Sequence, residues 1–306
     1  AQARILGNWI ANYSEEMEGQ IVVATHNSNF LKGILTGGEK VKIYRLNRNG
    51  DHTFYNTIPP ETTDRLANDP LLSSQRIIEA IFYDGVVVCE GDSDRTVYQS
   101  VAVEEMESED ILFTHALNKH SIKEVVREIK KADIPVAAIT DIDILNDHHT
   151  LKYLLESFDQ ERDFEPILNK RREIEKVFQD KTDEQILEEL KEEVSEFLNQ
   201  LKNDEHNLSG AKSALGRLRS SASRWSDLKN GGLETIPEDK KDIAETLLES
   251  AKELGLFIVP VGELENWIDL DVRKSSWPVK ALGEIYQGEC PSELRKFIKE
   301  VLGYLL

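Results

Sequence analysis

Apolar and polar positions change their period several times along this chain. Ile5 to about Glu16 keeps a helical spacing, which predicts an amphipathic helix. Gln20-Ile21-Val22-Val23-Ala24-Thr25-His26 is an apolar run ending in a polar turn, and it predicts a buried strand. Asn27-Ser28-Asn29 then offers side-chain oxygens to cap a helix over Phe30 to Leu35. Val41 to Leu46 and His52 to Tyr55 flank Asn49-Gly50, a strong hairpin signal. The stretch from Ile58-Pro59-Pro60 to Asp69-Pro70 reads as a linker.

A regular alternation follows. Apolar runs end at Glu90, cover Ile111-Leu112-Phe113 and span Val136 to Thr140. Helical patterns cover Ser93 to Glu105, Ser121 to Lys131 and Thr150 to Ser157. This βαβαβ order predicts an α/β fold, a parallel sheet with helices on both faces. From about Phe158 to Leu254 the pattern is helical and highly charged, with a stripe of Ile186, Leu187, Leu190, Val194, Phe197, Leu198 and Leu201. It reads as a helical insertion. The α/β pattern returns at Leu256 to Gly262, and helices near Pro278–Tyr286 and Pro291–Leu302 finish the chain. The expected divisions are 1–70, 71–157, 158–254 and 255–306. There is no internal repeat and no low-complexity tract.

Composition narrows the function. The 306 residues are 40% hydrophobic, enough for roughly two or three folded domains. A net charge of −20 argues against general nucleic-acid affinity but not against a local basic groove. The two cysteines, Cys89 and Cys290, make no disulfide framework and suit a reducing cytoplasm. No apolar run approaches membrane-spanning length, and no signal peptide is apparent. The chain begins at Ala1 rather than Met, and we expect it to be a piece of a longer protein.

Candidate chemistry collects where strands end. Cys89-Glu90-Gly91-Asp92-Ser93-Asp94 follows one apolar run, and Thr140-Asp141-Ile142-Asp143 follows another. Ligands of open α/β sheets gather beyond the carboxyl ends of strands. Carboxylates brought together repel unless protons or cations neutralise them. Gly91 allows a tight turn, and Asp92 and Asp94 fall in the first helical turn, beside the positive end of the helix dipole. In extended chain Asp141 and Asp143 would face the same way, as an oxygen-ligand metal site needs. Glu263 and Glu265 follow the last strand, with Glu263 the candidate ligand. The span 209–229 holds five basic residues, Lys212, Arg217, Arg219, Arg224 and Lys229, and one acid. Small and hydroxyl residues lie between them, which suits phosphate contact. The bland readings are a capped helix, an acidic loop and a solvated helix face. His148 and His149 read as exposed loop residues, and Cys89 as a small core filler.

Taken together, Glu90-Gly91 with Asp94, followed by Asp141-x-Asp143, resembles a Toprim domain. Ile21 to Ser28 resembles the closing strand and switch histidine, His26, of an ABC-type ATPase domain. An ATPase tail running into a Toprim domain is similar to the overcoming-lysogenisation-defect (OLD) family of nucleases. The resemblance covers essentially the whole chain, and the insertion matches loosely. It implies a Toprim-like parallel sheet with a helical insertion, and part of an ATPase domain and linker over 1–70. It also implies phosphodiester hydrolysis of DNA with two Mg²⁺ or Mn²⁺ ions, a homo-oligomer and a role in phage defence. Metal would be held by Glu90, Asp94, Asp141, Asp143, Glu263 and Asp92, and DNA by Lys212, Arg217, Arg219 and Arg224. Glu90 and Asp141 would serve catalysis, joined by a family lysine that Trp225-Ser226-Asp227-Leu228-Lys229 with Gly231-Gly232 places at Lys229. No G-x-x-x-x-G-K-[ST] loop occurs, so ATP would bind only through a part of the ATPase domain outside this sequence, and this chain alone would not hydrolyse it. The alternatives are primase-like or topoisomerase-like Toprim chemistry, which in the latter case needs a tyrosine nucleophile. A non-enzymatic DNA-binding or dimerisation module stabilised by metal is the third. The helical insertion and the apolar run Val301 to Leu306 motivate that last reading.

Overall fold

The computed structural model describes every residue except 39, 74, 106–109, 180–182, 203–207, 222–224 and 271. It opens with α1 (Gln2–Glu16), α2 (Ser28–Gly37), a hairpin of β1 (Tyr44–Asn49) and β2 (His52–Thr57), α3 (Pro60–Asn68) and α4 (Gln75–Glu79). The alternating part is β3 (Gly85–Cys89), α5 (Asp92–Glu105), β4 (Ile111–His115), α6 (Lys119–Lys131) and β5 (Val136–Thr140). Helices α7 (His148–Phe158), α8 (Glu165–Gln179), α9 (Asp183–Lys202), α10 (Leu208–Ser221), α11 (Ser226–Gly231) and α12 (Glu238–Lys252) follow. Strand β6 (Leu256–Ile258) and helices α13 (Trp277–Tyr286) and α14 (Ser292–Leu305) end the chain. The fold is α/β, with strand order β4-β3-β5-β6 in its four-stranded sheet.

Two compact units emerge. The first comprises residues 1–139, 153–160 and 272–306, the second residues 140–152 and 161–271.

In the first unit β3 lies between β4 and β5, parallel to both, with Val87 opposite Phe113 and Ala137. Val86, Val87, Val88, Cys89 and Phe113 are completely buried. Strands covered on both faces are apolar throughout, which is why these runs do not alternate. Helix α6 turns Ile122, Val125, Val126 and Ile129 inward, at helical spacing. Helix α14 buries Leu294, Phe297, Ile298, Val301 and Leu302, and Phe297 packs on Tyr98 of α5 with ring centroids 6.2 Å apart. Each such side chain contributes about 1.5–3 kcal/mol by leaving water. The hairpin forms as the Asn49-Gly50 signal requires, with Gly50 at φ +57°. Arg45 of β1 is buried and donates to the carbonyls of Ile81 (3.2 Å) and Tyr83 (2.7 Å).

Two expectations fail here. Gln20 to His26 is not a strand; it is irregular, with Val22 89% exposed. An apolar run becomes a strand only where a neighbour completes its ladder, and no described strand pairs with it. The expected linker contains helix α3, whose Thr62, Thr63 and Leu66 are buried. Pro60 sits in its first turn, where a missing N–H costs nothing, so the Pro-Pro pair starts a helix rather than breaking one. Thr62 donates to the buried carboxylate of Glu128 at 2.9 Å.

The second unit is mostly helical, as the charged pattern predicts. Helix α12 packs on α8 and on β6 through Ala244, Leu247 and Ala251. On α9 Phe197 is buried, whereas Leu187, Val194 and Leu198 of the same stripe are exposed. At the end of β5 the Thr140 carbonyl accepts the Val259 N–H at 2.9 Å.

Candidate functional site

Two groups of charged side chains follow strand ends, one in each unit. In the first unit, β3 ends at the buried Cys89, and Glu90-Gly91 leads directly into α5. Asp94 reaches back one helical turn, and its Oδ2 accepts the Gly91 N–H at 2.9 Å. That bond satisfies a helix-terminal donor and fixes the turn. Gly91 has no left-handed backbone; a Cβ there would lie 3.1 Å from Asp94 Oδ2. Asp92 Oδ1 accepts from Arg95 Nε at 2.8 Å. This bond holds the Asp92 carboxyl below the ordinary aspartate range; burial opposes it, and the charges of Arg95, His115 and Arg76 reinforce it. Burial pushes the Cys89 thiol well up, as a core filler requires, and nearby Asp94 adds to the shift.

His115 was missed by sequence reasoning. It ends β4 opposite Cys89 in the parallel register, and its Nε2 lies 3.7 Å from Asp92 Oδ1. Its buried Nδ1 has no hydrogen-bond partner among the described residues. The available signal was its place at a strand end neighbouring the acidic run.

In the second unit, Asp141 is the last extended residue after β5, and Ile142–Asn146 forms a 3-10 turn. The alternation that would aim Asp141 and Asp143 the same way therefore stops at Asp141. On a three-residue turn, positions two apart do not eclipse. Asp143 instead meets Lys229 of α11, whose Nζ lies 3.6 Å from Asp143 Oδ2 and 3.4 Å from Glu263 Oε2. Asp143 and Glu263 are 21% and 14% exposed, so the ammonium is held between two largely sheltered carboxylates.

Backbone packing brings those three segments together. Ile142 N–H donates to the Gly262 carbonyl at 2.9 Å, and Leu233 N–H to the Pro260 carbonyl at 2.9 Å. Gly232 has φ +58°, and a Cβ there would lie 2.1 Å from Pro260 O. Gly262 has φ +113°, and a Cβ there would lie 2.2 Å from Lys229 O. Only glycine combines such approaches with positive φ. Asn266 Nδ2 stands among three carbonyls, Val261 (2.8 Å), Asn230 (2.9 Å) and Lys229 (3.1 Å). Its two hydrogens tie the end of α11 to the loop carrying Glu263.

Of the other candidates, some are exposed and some lie outside the described residues. Lys212 of α10 is exposed; the side chains of Arg217 and Arg219, and all of Arg224, are outside the described residues. His26 is exposed in the irregular segment. His149 is exposed, while His148 is half-buried, its pKa lowered by burial and by Arg171 and Arg172. Among the described residues no three His, Cys, Asp or Glu side chains form a ready group for a metal ion. The Asp143–Glu263 pair nonetheless fits a hard cation. Its donors are carboxylate oxygens, and a cation belonging to the chain lies between them.

Residues 81–143 match the family model described as "Overcoming lysogenization defect protein-like, TOPRIM domain". The match supports a Toprim region of an OLD-like protein over that span, which contains Glu90, Asp94, Asp141 and Asp143. Lys229, Glu263 and the segment around His26 lie beyond it. A search of curated proteins finds no match to the chain. Among the described residues no helix is long and apolar enough to cross a membrane.

Proposed function

We propose that this chain is the hydrolytic part of a divalent-metal-dependent DNA nuclease. The observation that carries the reading is the Lys229 ammonium between Asp143 and Glu263, in a chain whose acidic strand ends fall within a Toprim match. Glu90 and Asp94 in the first unit, and Asp141, Asp143 and Glu263 in the second, are the carboxylates that would hold Mg²⁺ or Mn²⁺, two ions in all. Such an ion supplies polarisation of a phosphoryl oxygen and acidification of water.

The remaining roles belong to the chain. Lys229 pairs with a non-bridging phosphate oxygen and offsets the charge that grows on the phosphorane as the bond breaks. Asp143 and Glu263 hold its ammonium beside the metal-binding carboxylates until a divalent ion takes its place and frees it for the phosphate. Asn266 holds the Lys229 main chain. Asp92 is engaged by Arg95 and orders the start of α5. The exposed Lys212 extends the phosphate-binding surface. The ATPase reading of residues 1–70 belongs to the same proposal and rests on sequence resemblance.

The alternatives have less support. Tyr98 is 1% exposed beneath Phe297, which removes it as a nucleophile, whereas Tyr153 of α7 is 46% exposed and has the Lys123 ammonium over its ring. Val301, Leu302 and Leu305 are buried within the first unit, which removes most of the apolar run that suggested a dimer surface.

Incubation with supercoiled plasmid and Mg²⁺ or Mn²⁺ tests the reading. The expected result is cleavage that Glu90→Ala and Asp141→Ala each reduce by roughly 10²-fold or more. Cleavage by both variants at the parent rate would overturn it.

A further inference from the structure

The nuclease reading leaves Arg171 without a role, although its side chain is among the most committed in the second unit. It projects from α8 and is only 3% exposed. Nε donates to the Leu145 carbonyl at 2.7 Å, and Nη2 to the Asn146 carbonyl at 3.1 Å. These are the last two carbonyls of the 3-10 turn that carries Asp143. Glu175, one helical turn further along α8, balances the charge through Nη2 to Oε1 at 3.0 Å.

The same guanidinium lies over the Trp225 ring, its Cζ 5.4 Å from the centroid. Trp225 is buried and stands at the head of α11, and Phe178 of α8 braces it from a second direction at 5.0 Å. The Trp225 carbonyl accepts the N–H of Lys229 at 3.1 Å. One planar side chain thus grips the turn that bears the carboxylate and the helix that bears the ammonium.

We propose that Arg171 is a positioning residue: its hydrogen bonds fix the Asp143 turn, its cation–π contact fixes the Trp225 end of α11, and it thereby sets Lys229 against Asp143. The proposal rests on the nuclease reading for its consequence in catalysis, but not for its geometry. Lysine cannot substitute. A point charge on a flexible stem lacks the fork for two carbonyls and the plane for the indole. The competing account is that Arg171 merely satisfies buried carbonyls and stabilises the unit.

The test compares the full chain with Arg171→Lys, Trp225→Leu, Lys229→Ala and the Arg171→Lys/Lys229→Ala double variant. Arg171→Lys keeps charge and bulk, and Trp225→Leu covers the case in which it fails to fold. The first readout is amide exchange without metal or DNA. Exchange should quicken together over 142–147 and 226–231 in both Arg171→Lys and Trp225→Leu, while β3 and β4 keep their protection. The second is plasmid cleavage, which Arg171→Lys should slow by about 10–100-fold, the range for residues that orient ligands. In the Lys229→Ala background the same change should cost clearly less than in the parent, because part of its effect runs through Lys229 and coupled neighbours are non-additive.

Exchange that quickens evenly through the chain, or in only one of the two segments, would overturn the proposal. So would cleavage at the parent rate, or effects that multiply in the double variant. If the parent cleaves no nucleic acid, the nuclease reading fails, and the paired exchange of the two segments still decides the role of Arg171.

Discussion

The turn after β3 and the cluster around Lys229 both place carboxylates beyond a strand, but they are built by opposite means. The first is local. Asp94 bonds Gly91 three residues away and Arg95 bonds Asp92 three residues away, while His115 and Arg76 approach Asp92 from other elements. The second is assembled from three separate segments, at 143, 229 and 263, joined by main-chain bonds and by Asn266. A local cluster survives most distant substitutions, whereas an assembled one depends on every backbone approach that holds it. In the assembled cluster the ammonium of Lys229 lies between both candidate ligands, Asp143 and Glu263, so a divalent ion must compete with it there.

The largest effect should come from that competition. Lys229→Met removes charge with little change in volume. Plasmid cleavage should fall by roughly 10²–10³-fold, the usual cost of one group that stabilises transition-state charge. Mn²⁺ binding measured by calorimetry without DNA should move the other way and tighten, because the carboxylates lose their internal counter-ion. Weaker Mn²⁺ binding would mean that Lys229 supports the carboxylates rather than competing at them.

Next in size is the backbone on which the assembled cluster depends. Gly262→Ala puts a Cβ 2.2 Å from Lys229 O and places alanine at a positive φ. A loss of about 1–3 kcal/mol is expected from the strained backbone, read by urea denaturation. Cleavage should fall in parallel. Gly91→Ala, in the local cluster, has ordinary φ and a contact at 3.1 Å with the end of a side chain. It should cost less than about 1 kcal/mol. Equal losses for the two substitutions would erase the contrast between local and assembled clusters.

The same contrast explains what the sequence discloses. The β3-α5-β4-α6-β5 succession was legible because each element carries its own period, and Glu90 and Asp94 because they adjoin it. Asp143 could be picked out, but not its direction, since nothing in Asp141-Ile142-Asp143 announces that the extended chain ends at Asp141. Lys229 was found through a resemblance in its neighbouring residues; its proximity to Glu263 depends on two glycine approaches that no spacing encodes. Arg171 was invisible, because one arginine on a charged helix resembles every other until its partners are known. The strand expected at Gln20–His26 failed for the complementary reason: a local pattern proposes a strand, and only a partner strand makes one.

The smallest expected effect confines a perturbation to the unit of the local cluster. Glu105, at the far end of the helix that carries Asp94, receives Lys299 at 2.8 Å and Arg295 at 3.0 Å, both from α14. The hydrogen bond from Lys299 holds its carboxyl below the ordinary glutamate range; burial opposes this, and Arg295 adds to it. The folded value thus lies below the unfolded one. Its stabilisation is complete above the ordinary glutamate range and disappears as pH falls through the lowered folded value. Glu105→Gln should therefore cost less than about 1 kcal/mol at neutral pH, as solvent-screened pairs do. The difference from the parent should vanish in acid. Thermal unfolding from pH 7 to pH 3 measures it. The Lys229 cluster should be indifferent, with Mn²⁺ affinity in Glu105→Gln equal to that of the parent. A change in that affinity would show that the ion pairs joining α5 to α14 influence the assembled cluster as well as the local one.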